Sequence, residues 1–529
     1  MTETAVTGTA VVIGGGVAGL ATAALLASDG WEVDLLEQRA ELGGRAGSWE
    51  QDGFRFDTGP SWYLMPEVFD HFFQLLGTTT QEQLDLARLD PGYRVYFEGR
   101  EEPLDVRADR ASNVALFESV EAGAGQALER YLDSAETAYR LALKHFLYSS
   151  FQSRTALLAP EVVRHGPRLS GLLTRSLESF AAKRFDDPRL RQVLGYPAVF
   201  LGTAPDRAPA LYHLMSWLDL ADGVRYPRGG FTTLVAAMVR LAEAAGVRVH
   251  TGTTVTAIRT ETGRRGRNPR VRGVDATAAD GDLRVEADLV VAAADLHHVE
   301  TRLLPPALQT YPEAWWRRRD PGPGAVLAML GVEGGLPALA HHSLFFTRDW
   351  KRNFGDIFDA RRVPEPASAY VCRPSATDPT VAPAGHENLF VLVPVPADPG
   401  IGRGGADGGG DAQVEKVADA AVAQVAAWTG TPDLAERVVL RRTVGPADFA
   451  EGLNAWSGGA LGPAHVLSQS AFFRAGNASR KVEGLLYAGS STIPGIGLPM
   501  CLISAELVLK RVRGDRSAGP LDVPLDGAP

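Results

Sequence analysis

The sequence predicts an α/β fold: a parallel sheet split by a mixed α+β domain that carries a helical insertion. Three stretches predict it. Ala10 to Glu37 runs strand, glycine turn, helix, strand and acidic stop; Tyr226 to Asp295 brings back a helix and strands; Leu485 to Val512 repeats the strand, glycine-rich loop and helix of the opening. A parallel sheet interrupted by a large insertion needs such returns, because each crossover between parallel strands passes through a helix.

Ala10 to Ile13 is a short apolar run that leads directly into Gly14, Gly16 and Gly19, a G-x-G-x-x-G pattern. The first glycine makes the tight turn, the second lets backbone approach a pyrophosphate, and the third lets the helix pack on the strand. The helix N-terminus then offers its free N–H groups to an anion. Gly30 closes the helix, Trp31 to Leu36 form the second strand, and Glu37 stands where a carboxylate accepts from both ribose hydroxyls. Complete context raises a weak motif to a Rossmann-like dinucleotide site. Leu42 to Arg45 (LGGR) follows and resembles the extension of flavoproteins of the amine-oxidase and glutathione-reductase superfamily, which implies that Gly44 and Arg45 approach the diphosphate and ring of FAD.

Further along, alternating aromatics suggest a hairpin ending at Asp57, a turn at Gly59 and Pro60 that lines the flavin ring, and a helix from Pro66 to Leu76. Tyr93 to Val106 has the pattern of two short strands, and from there to about Leu220 the pattern is largely helical. Within that insertion, Phe151 to Arg191 holds eight Lys or Arg against four Asp or Glu, inverting the charge of a chain whose net charge is −10. Leu157, Leu158, Val162, Val163, Leu169, Leu172, Leu173 and Leu177 interleave there with Arg154, Arg164, Arg168 and Arg175. A basic amphipathic helix fits a membrane surface; an ordinary solvated face is the alternative. Val255, on a strand of the returning half, is placed where backbone contacts the adenine in related FAD folds.

The glycine-rich Ile401 to Asp411 is expected to be a mobile loop; no apolar strand leads into it and no Gly-Lys-Ser/Thr follows, so it is no phosphate loop. At the C-terminal end, Gly489 turns the chain after a strand, and Pro499 and Met500 open a helix whose dipole faces a reduced, anionic flavin. Residues 1–105, 226–296 and 476–513 are expected to form the three parts of the FAD-binding domain, 106–225 a helical substrate or membrane domain, 297–475 a mixed α+β substrate domain, and 514–529 a disordered tail.

Composition bounds the rest. At 529 residues with 45% apolar and 22% charged side chains, the chain has room for at least two domains and a large core. The acidic balance argues against nucleic acid. The two cysteines, Cys372 and Cys501, are expected to be packing residues. No metal is expected at His297 with His298 or His341 with His342, because adjacent histidines point different ways and no cysteine or carboxylate cluster accompanies them in sequence. With no signal peptide and no long apolar span, the expected location is cytoplasmic, peripherally attached to the inner face of the membrane.

Across nearly its full length the chain resembles the bacterial carotenoid desaturase family of phytoene desaturase type. VVIGGGVAGL, ELGGRAG, FDTGPSWYLMP, YPRGGFTTL, HHSLFFTRDW, PSATDPTVAPAGHENLFVLVPVP and YAGSSTIPGIGLPM carry the resemblance, and PSATDP with GHENLFVLVPVP is its most specific part. Gly489-Ser490-Ser491-Thr492 departs from the commoner Gly-Ala-Gly-Thr. The resemblance implies FAD-dependent desaturation of a long polyene or isoprenoid such as phytoene, by loss of an allylic hydride and then of an acidified proton. It also implies a catalytic-site role for Arg175, against which stands a plain surface or membrane-contact arginine. Within the family, ketolases, diapophytoene desaturases and terminal desaturases of hydroxylated carotenes share these motifs. Outside that chemistry stand an escort or binding protein for prenyl lipids on the same fold, which the intact nucleotide motif disfavours, and amine or protoporphyrinogen oxidases, which lack PSATDP.

Overall fold

The computed structural model describes residues 7–152, 159–263 and 268–528. A five-stranded parallel sheet, in the order Leu485–Tyr487, Leu289–Ala292, Gly8–Ile13, Trp31–Leu36, Arg248–His250, draws its strands from three distant stretches of chain. Val12 pairs with Leu35 on one side and Val291 on the other, and all three are fully buried. Both faces of such a sheet are covered, which is why these strands are continuous apolar runs rather than alternating ones. The helix Val17–Ser28 lies on it and is buried along nearly its whole length, packed against Phe231–Ala244 and Leu498–Val512. Its small residues Ala21, Ala23 and Ala24 permit that close approach.

A seven-stranded sheet forms the second layer, ordered Val438–Val444, Pro323–Glu333, His386–Pro396, Ala369–Cys372, His342–Phe346, Tyr93–Phe97, Leu104–Val106. It is antiparallel except where His342–Phe346 meets Tyr93–Phe97. Alternation along Pro323–Glu333 is clean: Val326, Ala328 and Leu330 pack with Val414, Val417 and Ala421 of the helix Ala412–Thr429, whereas Ala325, Leu327 and Met329 face the other way into a cavity. Tyr93 to Val106 therefore belongs to this second sheet and not to the nucleotide-side sheet, in contrast to the expected domain boundary at 105. A three-stranded antiparallel sheet, Thr254–Glu261, Arg270–Ala278 and Gly281–Glu286, stands beside the first.

Two local expectations differ from the structure. Residues beyond Gly514 do not trail off. Lys510 is fully buried, and its ammonium donates to the carbonyls of Tyr148 (3.0 Å), Ser517 (2.8 Å) and Gly519 (2.6 Å). A buried charge requires such acceptors, so the tail is folded back over it, and Leu525 N–H donates to Leu75 O at 3.0 Å. The glycine-rich 401–411 loop is likewise pinned, Thr443 N–H donating to Gly405 O (2.8 Å) and Asp407 N–H to Arg441 O (3.0 Å).

Of the basic amphipathic segment, Arg154, Leu157 and Leu158 lie outside the described residues. The remainder forms two helices, Pro160–Thr174 and Leu177–Ala182, and the start of a third, Pro188–Gly195. The first buries only Val162 and Leu172, and leaves Val163 60% and Leu173 38% exposed. Among the described residues, no helix is long and apolar enough to cross a membrane.

Candidate active site

A cavity of about 1510 Å³ begins at the carboxyl ends of the parallel strands and continues to the second sheet and the insertion helices. Ligands bind at such strand ends because the loops there leave a crevice walled by helix N-termini. At this end the wall is mostly backbone. Gly14 holds φ +102° and donates its N–H to Leu36 O at 2.8 Å, which folds the turn tightly against the second strand. Gly16 precedes the helix without a side-chain cap, so the first N–H groups face the cavity. A Cβ on Gly16 would meet nothing nearer than 3.9 Å, which marks it as the open floor of a cradle. Gly19 is different: a Cβ there would lie 1.9 Å from Gly14 O, so this glycine serves packing and does not line the cavity.

A second glycine turn closes over the first. Gly43 N–H donates to Gly15 O at 2.8 Å, and a Cβ on Gly44 would come within 3.2 Å of Gly16 Cα. Arg45 lines the cavity with its Nε donating to Ala460 O at 3.0 Å. Gly59 lets the next turn ride on Arg45, whose carbonyl oxygen would stand 2.1 Å from a Cβ at that position, and Pro60 continues the wall. Glu37 is buried, and its carboxylate accepts from Gly15 N–H (2.7 Å) and Arg39 N–H (2.9 Å) while still lining the cavity. Each oxygen retains lone-pair capacity for a further donor. Val255, on the edge of the antiparallel sheet, lines the same region. Opposite, Gly489 (φ +105°) donates its N–H to Ser504 Oγ at 2.8 Å, and Pro499 and Met500 present the uncapped N-terminus of Leu498–Val512 to the cavity.

Arg175 does not join them. It caps the C-terminal end of Pro160–Thr174, its carbonyl accepts the Ala210 N–H, and its side chain lies exposed in a separate hollow with Arg130, Arg168 and Arg184. The structure thus sets Arg175 apart from the cavity that the glycine turns line. Leu169 and Leu173 of that helix do line the cavity.

Beyond the glycine turns the walls become apolar side chains: Trp62, Leu147, Phe200, Leu211, Leu344 and Phe346. At its outer end Phe472 and Phe473, 58% and 49% exposed, stand with Leu173. The few polar groups along these walls were not singled out in the sequence. Tyr196 lines the cavity and donates its hydroxyl to Asp219 at 2.6 Å; Tyr93 donates to the same carboxylate oxygen at 3.0 Å. Burial raises the Asp219 carboxyl to about 7, although both phenols oppose the shift. An acid inside the apolar run LMSWLDLADG was the available signal. His465 also lines the cavity, with Nδ1 against the Tyr212 hydroxyl (2.7 Å) and Nε2 accepting Ile496 N–H (3.1 Å), and burial holds it neutral. Asp57 lies just behind the Gly59 turn, accepts Phe231 N–H at 3.0 Å, and is raised to about 7 by burial.

His341 and His342 do not diverge as adjacent strand residues would. The strand starts at His342, so His341 occupies the preceding bend and escapes strand alternation; the two rings lie 4.5 Å apart. Cys372, opposite His342 in the antiparallel register, completes a buried cluster. PSATDP, the most specific segment of the resemblance, does not line the cavity. Its Asp378 instead accepts Gly229 N–H at 2.5 Å, bracing the second sheet against the turn that opens Phe231–Ala244.

Residues 17–512 match the family model described as flavin containing amine oxidoreductase. The chain is 41% identical to a carotenoid 3,4-desaturase of Haloarcula japonica over 94% of its own length and 96% of the relative's. It is 36% identical to a zeta-carotene-forming phytoene desaturase of Myxococcus xanthus, covering 95% of this chain and 93% of that one. Among solved structures, an oxidoreductase from Methanosarcina mazei shares the fold with TM-score 0.60 at 16% identity, over 95% of this chain and 100% of that one.

Proposed function

The chain belongs to the flavin-containing amine oxidoreductases and, among them, to the carotenoid desaturases, and from this premise we propose that it holds FAD across the paired glycine turns and desaturates a long polyene lying in the apolar part of the same cavity. The observation that carries the reading is continuity: one cavity joins a backbone-built dinucleotide cradle to a chamber of aromatic and aliphatic side chains. The cradle fits the cofactor on its own terms, with an open Gly16, uncapped helix N-termini at Val17 and Leu498, and a carboxylate at Glu37 with acceptor capacity left.

In this reading Gly14, Gly16, Gly44 and Arg45 hold the diphosphate, Glu37 the ribose, Val255 the adenine side, and Gly59, Pro60, Gly489, Pro499 and Met500 surround the ring. Bound there, FAD supplies the acceptor for a hydride and its two electrons. The chain's own part is to orient the substrate and exclude water, which apolar walls do without a strong base. Loss of an allylic hydride leaves a delocalised cation whose neighbouring proton is acidic. Tyr196, on the wall and hydrogen-bonded to a carboxyl that titrates near neutrality, is positioned to pass that proton to Asp219. The protein lies against a membrane through Val163, Leu173, Phe472 and Phe473 beside Arg164 and Arg168, delivering an apolar substrate to the cavity mouth.

A second reading concerns which bond is oxidised. The relative at 41% identity is named for 3,4-desaturation and the one at 36% for zeta-carotene formation, so a substrate desaturated near its end stands beside phytoene. Expression in hosts that accumulate either phytoene or an already conjugated carotenoid, with product analysis, separates them. The same assay with purified, FAD-loaded protein and substrate in liposomes tests the desaturase reading; absence of any new double bond on both substrates, or purification without FAD, sinks it.

A further inference from the structure

One layer behind the cavity wall, His341, His342 and Cys372 each bring a donor atom within 4.8 Å of the others, and all three are buried. Three features make this more than a chance meeting. His341 places Nδ1 against Thr377 Oγ1 and His342 places Nδ1 against the Tyr370 hydroxyl, both at 2.8 Å. Nε2 of each ring has no hydrogen-bond partner among the described residues. Buried polar atoms are ordinarily satisfied, and two orphans on adjacent rings need an explanation. In the tautomer that donates Nδ1–H to the neighbouring hydroxyl, each ring is left with a bare Nε2 lone pair, the arrangement of a metal ligand held by its outer shell.

The third feature is the thiol. His342 and Cys372 are directly opposed on neighbouring antiparallel strands, so their side chains share one face of the sheet. Donors on a common ion stand about 3.5–3.8 Å apart, given bonds of about 2.0 Å to nitrogen and about 2.3 Å to sulfur. The observed donor atoms, within 4.8 Å of one another, must draw together by about 1 Å to reach that geometry.

We propose that His341, His342 and Cys372 form a binding site for one soft, closed-shell cation, with Cu⁺ the best match. A thiolate and two imidazoles are soft ligands, and three of them suit the low coordination number of that ion. Charge decides between the candidates. Two neutral imidazoles, a thiolate and Cu⁺ sum to zero, whereas Zn²⁺ leaves one net positive charge in a fully buried site, at high desolvation cost. Binding displaces the thiol proton and involves no electron transfer.

The site sits where it can stiffen the cavity. Trp62, which lines the cavity, stacks on His342 with ring centroids 4.3 Å apart at 10°. Tyr370, another lining residue, is fixed between His342 and Ser61, whose Oγ lies 2.7 Å from its hydroxyl.

The test reads metal rather than turnover, and so stands apart from the desaturase reading. Flavin-loaded protein is purified under reductant from cells supplied with both copper and zinc, and its metal content is measured after dialysis against a weak chelator. About one copper per chain is expected, falling at least tenfold in Cys372→Ser and in His341→Gln, and unchanged in Cys501→Ser. Neither metal retained, copper undiminished in the two variants, or zinc retained in preference to copper overturns the proposal. Should the variants fail to fold, X-ray absorption on the copper-loaded wild type decides: one sulfur with two nitrogens supports the site, and a shell without sulfur overturns it.

Discussion

The two ends of the cavity are built from different materials. At the dinucleotide end the contacts are glycines, helix termini and main-chain N–H groups, with Glu37 and Arg45 as the charged exceptions; at the far end they are side chains of Trp62, Phe200, Leu211 and Phe346. Where backbone packs on backbone, as at Gly19 and Gly59, there is no room for added atoms, whereas walls of interdigitated side chains can be re-formed by substitution. In the proposed reading the first end therefore holds one cofactor, and the second sets which carotenoid fits.

Substitutions can break this contrast. The largest effect is expected from Gly19→Val, whose Cβ collides with Gly14 O at 1.9 Å; loss of soluble folded protein, seen by circular dichroism, is the expected outcome. Gly16→Leu sits three residues away in open space and should leave stability within about 0.5 kcal/mol while the purified protein loses its flavin absorbance. Equal damage from both would show that Gly16, too, is only a packing glycine. Glu37→Arg should weaken FAD about 10–100-fold, from loss of a charged acceptor worth roughly 1.5–3 kcal/mol; unchanged affinity by fluorescence titration would remove the ribose assignment.

At the other end, Asp219→Asn should cut the rate of desaturation roughly 100-fold, the typical scale of a proton-transfer group, with flavin content intact. The same variant sharpens a pH argument. Burial lifts Asp57 and Asp219 from 3.8 to about 7, so between those values the folded chain holds protons that the unfolded chain has released. Stability is then greatest below about pH 4 for these two groups and declines as pH rises toward 7. In Asp219→Asn that decline, followed by urea unfolding, should shrink by an amount on the order of a few kcal/mol. Smallest is the surface effect: Phe472→Ser with Phe473→Ser should lower liposome flotation a few-fold and leave flavin and fold untouched. Flotation equal to wild type would return the exposed aromatics to ordinary surface.

The glycine-lined end was legible in the sequence because main-chain geometry leaves a glycine signature: Gly14, Gly44 and Gly489 hold positive φ and Gly59 rides on the Arg45 carbonyl, while Gly16 faces open space. The chamber was not, since a leucine at the wall and a leucine in the core carry the same letter. The position of Arg175 was not legible in the sequence, because whether it lines the cavity depends on how the helix Pro160–Thr174 packs. PSATDP carries the resemblance without lining the cavity: its Asp378 accepts Gly229 N–H, and Arg373, just before it, pairs with Glu387 at 2.8 Å. Asp219 and the His341–His342–Cys372 cluster escaped notice for one reason: their partners are tens to hundreds of residues distant in the chain and meet only through strand register and helix packing.

The order of strands in the parallel sheet has a consequence for synthesis. Gly8–Ile13 pairs with Trp31–Leu36 almost as soon as it is made, but its other neighbour, Leu289–Ala292, is followed by Leu485–Tyr487 only near the end of the chain. At about 5–20 residues per second on the ribosome, the opening strand waits roughly 25–95 s for the last strand of its sheet. Until then the edge of Leu289–Ala292 is unpaired and the helix Leu498–Val512 that covers the sheet is missing. The nascent protein thus carries an uncovered apolar sheet face until that helix has been made.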